Sequence, residues 1–258
     1  MQSNPSPSSF PFGKGRSDQA TSSRSVEVTN LDVPPLPVFG ERIKGQGLSN
    51  QRFLDFASGF ARNDRRNMKL VIAATGASGS IYLQRLLEQI DRAAHEVHLV
   101  VSAHAMQVAK QEIGNFQIPS DVAQHSENDM NVPFVSGSAR FDAMVIVPCS
   151  MATLGRIASG SSDSALLRAA DVFLKERRKL ILVPRETPWN LIHARNVVTL
   201  LEAGAIVLPA IPSFYSRPSS LNAVVDTVVW RILDQIGLPN PAAYRWAEKS
   251  SSGKRTKS

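Results

Sequence analysis

The chain has 258 residues, a hydrophobic fraction of 43%, one cysteine and a formal net charge of +7. That length admits one domain of ordinary size plus extensions. One cysteine excludes an intrachain disulfide and fits a reducing compartment, and no apolar run approaches the ~18–20 residues of a membrane helix. The charge does not mark a nucleic-acid-binding domain, which carries its positive charge on the folded part: residues 1–67 hold 9 basic and 6 acidic side chains, residues 249–258 hold 4 basic and no acidic ones, and residues 68–248 hold 16 of each.

Residues 1–67 are rich in Ser, Pro, Asn and Gly with scattered apolar residues, a composition that buries too little surface to offset ordering entropy. A largely disordered extension is expected, with a short helix near Gln51 to Ala61. Its six acidic residues argue against a transit peptide, so a cytoplasmic location is expected, or a mitochondrial one if the extension is a targeting segment. Met68 stands just before the first strand as a candidate start. A flexible basic tail is expected at 249–258.

From Met68 the pattern changes. Lys69 to Thr75 is a buried strand ending in the Gly-rich turn TGASGS. Ile81 to Asp91 has the apolar spacing of a helix at Ile81, Leu83, Leu86, Leu87 and Ile90. Glu96 to Ser102 is a second strand, Ala105 to Ile113 a helix, and 114–140 irregular. Ala143 to Pro148, Leu180 to Val183 and Ile206 to Leu208 are further strands. Helical patterns over Met151 to Ser159, Ser164 to Arg177, Leu191 to Ala203 and Leu221 to Ile236 separate or follow them. Strands alternating with helices imply parallel pairing with helices on both faces. The expected fold class is therefore α/β, a three-layer α/β/α flavodoxin/Rossmann-like parallel sheet in a single domain over 68–248. Ligands of such sheets sit beyond the C-terminal ends of the strands.

After the first strand, Gly76-Ala77-Ser78-Gly79 lets backbone approach a ligand, and the next helix offers N–H groups and positive dipole charge to a phosphate. It falls short of the full G-x-G-x-x-G pattern, so a plain tight turn is the competing reading. Ser102 after the second strand reads on its own as an N-cap. Ser150, Met151, Ala152 and Thr153 after the third open a helix suited to caps or an anion. Cys149 reads as a small buried apolar residue sooner than as a nucleophile. Arg168 and Lys175 lie two helical turns apart with Asp171 between them, from spacing alone a solvated salt-bridge face. Arg185 and Glu186 follow a strand end and read as active-site residues. Tyr215 lies after the last strand and Arg231 on the final helix. His95 and His98 are too close to a strand, and His104, His125 and His193 isolated, to form a metal site, so none is expected.

Taken together, TGASGS, VVS, CSMATL, RAADVFLKERR, VPRETP and FYSRP occur in this order in the flavin prenyltransferases, and the chain resembles that UbiX-like family from about Met68 to Trp246. The resemblance implies a metal-independent enzyme that joins a dimethylallyl group from dimethylallyl phosphate to reduced FMN. Its product is prenylated FMN, the cofactor of partner decarboxylases, as in ubiquinone biosynthesis, and the family assembles as a dodecamer. It further implies that Gly76, Ala77, Ser78 and Gly79 contact the flavin, with Ser78 near the reacting nitrogen. Ser102, Ser150, Met151, Ala152, Thr153 and Arg185 would hold the rest of the nucleotide. Tyr215 and Arg231 would hold the prenyl phosphate, with Arg168 and Lys175 helping from a neighbouring subunit, and Ser78, Glu112 and Glu186 would be catalytic. Where some members carry Trp after an Asn-Asp pair, this chain has Met130 after Asn128-Asp129. Two alternatives stand beside this reading: a related FMN-dependent decarboxylase of cysteinyl or phosphopantothenoylcysteine substrates, and a non-enzymatic flavin carrier. A nicotinamide dehydrogenase fits less well, because the second strand ends in Ser102 where an acidic ribose ligand is expected.

Overall fold

The apolar runs and amphipathic stretches alternate as six strands and six helices in a computed structural model that describes residues 67–114 and 116–246. Almost all of the N-terminal extension, including the helix expected near Gln51 to Ala61, and the tail at 249–258 lie outside the described residues. The strands are β1 (Lys69–Ala74), β2 (Glu96–Val101), β3 (Ala123–His125), β4 (Ala143–Cys149), β5 (Lys179–Pro184) and β6 (Ile206–Val207). The helices are α1 (Ser80–Gln89), α2 (Ala103–Ile113), α3 (Met151–Ala158), α4 (Ala165–Lys175), α5 (Leu191–Glu202) and α6 (Leu221–Ile236). All pairings are parallel and the order is β3-β2-β1-β4-β5-β6. The chain winds outward from β1 in one direction and from β4 in the other, so the order reverses between these two strands and opens a crevice at their C-terminal ends.

Each central strand is apolar without a break because both faces are covered, and the pleat divides it between two cores. Leu70, Ile72 and Ala74 of β1 pack with Val145 of β4, Val183 of β5 and the inner faces of α1 and α6. Val71 and Ala73 point the other way, with Met144, Ile146, Leu182 and the apolar stripes of α3 and α4. The sheet therefore lies between two helical layers, as the alternation of elements predicts. Serines begin four of the helices. The hydroxyls of Ser102, Ser150, Ser164 and Ser220 accept hydrogen bonds from Ala105, Thr153, Leu167 and Ala223, satisfying N–H groups that have no intrahelical acceptor. Across the first helical layer, Arg85 of α1 donates from Nε and Nη2 to Asp226 of α6 at 2.8 Å each, which ties α6 to the helix that follows the first loop.

The structure departs from the sequence reading between 114 and 140. Ala123–His125 is a sheet-edge strand, and Pro133–Val135 is a 3₁₀ turn that buries Phe134. His125 is not isolated either. Its Nε2 lies 2.8 Å from Nδ1 of His98 on β2, whose Nε2 lies 2.8 Å from Glu96 Oε1. The two rings stack with centroids 5.0 Å apart, edged by Phe134 and Phe141. Two imidazoles in such contact cannot both be charged cheaply. Burial lowers the His125 pKa, and the charge of His98 lowers it further against the pull of Asp129. A depressed folded pKa means that the neutral ring favours the fold: this stability is complete above the unfolded value near 6.5 and is lost as pH falls through the folded one. His125→Phe keeps an aromatic ring but cannot titrate. Between pH 7.5 and 5, the melting temperature of the wild type should therefore drop roughly 2–4 °C more than that of the variant. Parallel melting curves across that range would remove the pair from the account.

Candidate active site

Three groups of residues are candidates for a site: two follow the C-terminal ends of the strands, and the third is built on α6 and the chain after it. The first is a cavity of about 360 Å³ at the β1–β4 crevice, lined by Thr75, Gly76, Ser102, Ser150, Ala152 and Thr153 among others. The crevice is held by Thr75, whose N–H donates to Pro148 O at 3.1 Å and whose hydroxyl accepts from Ser150 N at 2.8 Å. Ser102, Ser150 and Ser164, the N-caps of α2, α3 and α4, all border this cavity, so three helix dipoles direct their positive ends at one volume. Arg156 lies there too, hydrogen-bonded to Asp163, as does Glu127, whose carboxylate accepts from Ala103 N at 3.2 Å. Ser102 is both the N-cap of α2 and a lining residue of this cavity.

Five residues expected to hold a ligand therefore share one cavity: Gly76, Ser102, Ser150, Ala152 and Thr153. Met151 does not line it; its side chain is 6% exposed and packs in the core beneath. His104, Glu127, Arg156, Ser164, Leu166 and Leu167 complete the lining. They carried no sequence signal, although a serine opening the fourth amphipathic helix could have been read as a cap pointing to the same edge. Cys149 is fully buried, and burial pushes its thiol up to about 12, which leaves no thiolate for chemistry near neutrality.

The second group surrounds the first loop, and here the expected anion site is already filled. Both Glu112 oxygens accept from Gly79 N at 3.0 Å, and Oε2 accepts from Ser80 N at 2.8 Å. A carboxylate of the protein, 33 residues away in sequence, thus sits on the start of α1 where a ligand phosphate was the natural guess. The neighbouring Ser78 and Ser80 hydroxyls favour its charged form as well. Burial pushes the Glu112 carboxyl up, but these hydrogen bonds outweigh that effect and hold it below the ordinary glutamate range. Gly79 is required by its backbone, at φ 113°, a region that side chains rarely adopt. At Gly76 the reason is packing: a Cβ there would lie 2.8 Å from the Cβ of His104. Arg185 donates from Nε to Ser78 O at 3.0 Å, tying the loop after β5 to the loop after β1. Glu186 follows on the exposed side, its carboxylate accepting from Thr187 N at 3.0 Å and its carbonyl from Trp189 Nε1 at 3.1 Å. Ala77 is buried and Ser78 exposed.

The third group is a second cavity, of about 410 Å³, lined by Tyr215, Arg231, Tyr244, Arg245 and Trp246. It shares no lining residue with the first. Tyr215 and Arg231, expected together, do meet here; the three residues from the end of the described chain were not anticipated. Arg168 and Lys175 line neither cavity, and within the chain they pair with Asp171 and Glu176. Met130 is 47% exposed. Among the described residues no cluster of three or more His, Cys, Asp or Glu could hold a metal ion, and no helix is long and apolar enough to cross a membrane.

A family profile described as Flavoprotein matches residues 60–233. Flavin prenyltransferase UbiX of Methanocaldococcus jannaschii is 47% identical over 183 residues, covering 69% of this chain and 98% of the relative. A probable UbiX-like flavin prenyltransferase of Bacillus subtilis is 45% identical over 199 residues, covering 75% and 98%. Among solved structures, AnUbiX (PadA1) in complex with FMN and dimethylallyl pyrophosphate matches with 41% identity and a TM-score of 0.67, covering 71% of this chain and all of the other. A dodecameric FMN-dependent UbiX-like decarboxylase from Escherichia coli O157:H7 matches at 40% identity and a TM-score of 0.63, covering 70% and 100%.

Proposed function

The chain belongs to the UbiX-like flavin prenyltransferase family, and from that premise we propose that it joins a dimethylallyl group from dimethylallyl phosphate to reduced FMN, making prenylated FMN for a partner decarboxylase. The observation that carries this reading is the pairing of two separate cavities, one at the β1–β4 crevice and one built on Arg231, with the Ser78–Glu112 hub at the loop after β1.

The residues fit the flavin nucleotide. The first cavity lies in the usual volume range for small-ligand sites, and the helix starts behind Ser102, Ser150 and Ser164 give it donors and positive potential for a phosphate tail. Ala77, Ser78, Gly79 and Arg185, on the loops after β1 and β5, would hold the ring system, and Met151 would contribute through the backbone of the α3 start. When bound, the reduced flavin supplies the nucleophilic ring nitrogen and the adjacent carbon.

The chain's own residues supply the rest. Tyr215 and Arg231 grip the prenyl phosphate, and the fixed cation stabilises charge that builds on the leaving oxygen as the carbon–oxygen bond breaks. Carbon–nitrogen bond formation releases a proton from the flavin nitrogen. Ser78, whose hydroxyl favours the ionised form of the neighbouring Glu112, would pass that proton toward the carboxylate. At closure the prenyl double bond would take up a proton to make its tertiary carbon electrophilic, and Glu186, on the loop shared with Arg185, would take the proton released from the ring carbon that attacks it, so that the step is proton-neutral. Arg168 and Lys175, outside both cavities in their own chain, act across a subunit contact. An assembly of copies agrees with α5, which leaves Leu191, Ile192, Val198 and Leu201 between 51% and 66% exposed along the helix.

The test is direct. Incubated anaerobically with reduced FMN and dimethylallyl phosphate, the protein should yield a flavin heavier by one isoprene unit, with dimethylallyl diphosphate as a parallel arm. Flavin of unchanged mass in both arms would overturn the proposal, and product from the diphosphate alone would correct the substrate.

A further inference from the structure

Asp234 lies three residues after Arg231 on α6 and binds two arginines with one carboxylate. Its Oδ2 accepts from Arg231 Nη1 at 2.9 Å and from Arg245 Nη1 at 2.7 Å, while Oδ1 accepts from Arg245 Nη2 at 2.8 Å. The Asp234 side chain is 16% exposed, that of Arg245 35% and that of Arg231 61%. The bidentate, better-shielded pair is therefore Asp234–Arg245, the geometry in which an ion pair holds position best. Arg231 spends one nitrogen on Asp234 and borders the second cavity with the remainder of its guanidinium.

Arg245 also anchors a stretch of chain. After α6 ends at Gly237, the segment folds back on the helix. Arg245 Nη2 donates to Asn240 O at 3.4 Å, and Asn240 Nδ2 donates to Trp230 O at 3.3 Å. The neighbours of Arg245, Tyr244 and Trp246, line the cavity with Tyr215, whose ring meets Trp246 edge-on with centroids 5.3 Å apart. The aromatic wall and the phosphate-facing arginine thus share one fastening point.

We infer that Asp234 is a positioning residue of this cavity, aiming Arg231 and seating the Tyr244–Trp246 segment as its wall. The inference rests on the reading of this cavity as the prenyl-phosphate site. Two effects of removing the carboxylate oppose each other. Losing a negative charge beside Arg231 strengthens the local field for a phosphate, whereas losing the fastening lets the guanidinium and the aromatic wall move. The structure favours the second, because two of the three hydrogen bonds to Asp234 serve the segment rather than Arg231.

The experiment compares Asp234→Asn, Arg245→Gln and Arg231→Ala in the full chain. It reads KM and kcat for dimethylallyl phosphate, the FMN dissociation constant, and amide hydrogen exchange over residues 240–246. Asp234→Asn should raise KM about tenfold, leave kcat and flavin affinity within about twofold, and speed exchange in the segment about tenfold. Arg245→Gln should reproduce the faster exchange and part of the KM rise, and it carries the test should Asp234→Asn fail to fold. Unchanged exchange, or a KM that stays level or falls in Asp234→Asn while Arg231→Ala raises it, would overturn the positioning role. If Arg231→Ala leaves KM unchanged as well, the reading of the cavity itself fails, and this inference with it.

Discussion

Arg231→Ala should raise the dimethylallyl phosphate concentration for half-maximal rate by roughly 10–100-fold and leave the FMN dissociation constant within about twofold. The magnitude is that of one charge-assisted hydrogen bond to a phosphate, about 1.5–3 kcal/mol. The selectivity follows from geometry. Arg231 borders the second cavity, whereas the first is lined by residues that follow β1, β2 and β4 and by the starts of α2, α3 and α4. Arg231→Lys should recover part of the loss, since an ammonium restores charge without the planar fork. Steady-state kinetics with each ligand varied in turn, beside a flavin titration, checks both halves. Loss of flavin with prenyl-phosphate KM unchanged would reverse the assignment of the two cavities.

The layers and most elements were legible because their causes are local. Lys69–Ala74 and Ala143–Cys149 are buried on both faces and so read as unbroken apolar runs. The serines at 102, 150, 164 and 220 mark helix starts at positions where the amphipathic stripes begin. β3 was not legible: Ala-Gln-His has no apolar pattern, and it becomes a strand through its register with β2 and the His98–His125 contact. The same limit applies at the site. Spacing marked the first loop as suited to an anion, which is physically right, but it could not show that Glu112 supplies one from the far end of α2. Glu112 entered the candidate set through family resemblance alone. Residues 244–246 follow the last helix without any periodicity, so nothing in their spacing shows that Arg245 bonds Asp234 or that all three line the cavity with Arg231.

Glu112→Gln separates structural from chemical use of the carboxylate at the start of α1. Three contacts from Gly79 and Ser80 N–H converge on it, and the neighbouring Ser78 and Ser80 hydroxyls favour its charged form. The glutamine is nearly the same size but brings no charge, and its NH₂ group would face donors. The first consequence is a loss of stability of about 1–2 kcal/mol near neutral pH, at the lower end for charged hydrogen bonds because the carboxylate is partly solvated. Its pH dependence has a defined sign. The folded pKa of Glu112 is depressed, so this contribution is complete above the ordinary glutamate value of 4.5 and is lost as pH falls through the folded value. The stability gap between wild type and variant should therefore be full at pH 7 and close in acid. The second consequence is kinetic. Without an ionised acceptor behind it, the Ser78 hydroxyl has nowhere to pass a proton, and kcat at pH 7 should fall roughly a hundredfold, while flavin affinity changes little because the first cavity is untouched. Denaturation at several pH values and single-turnover kinetics read the two effects independently. A variant that loses stability as described but turns over at the wild-type rate would leave Glu112 as a helix cap and nothing more, and the proton from the flavin nitrogen would need another acceptor.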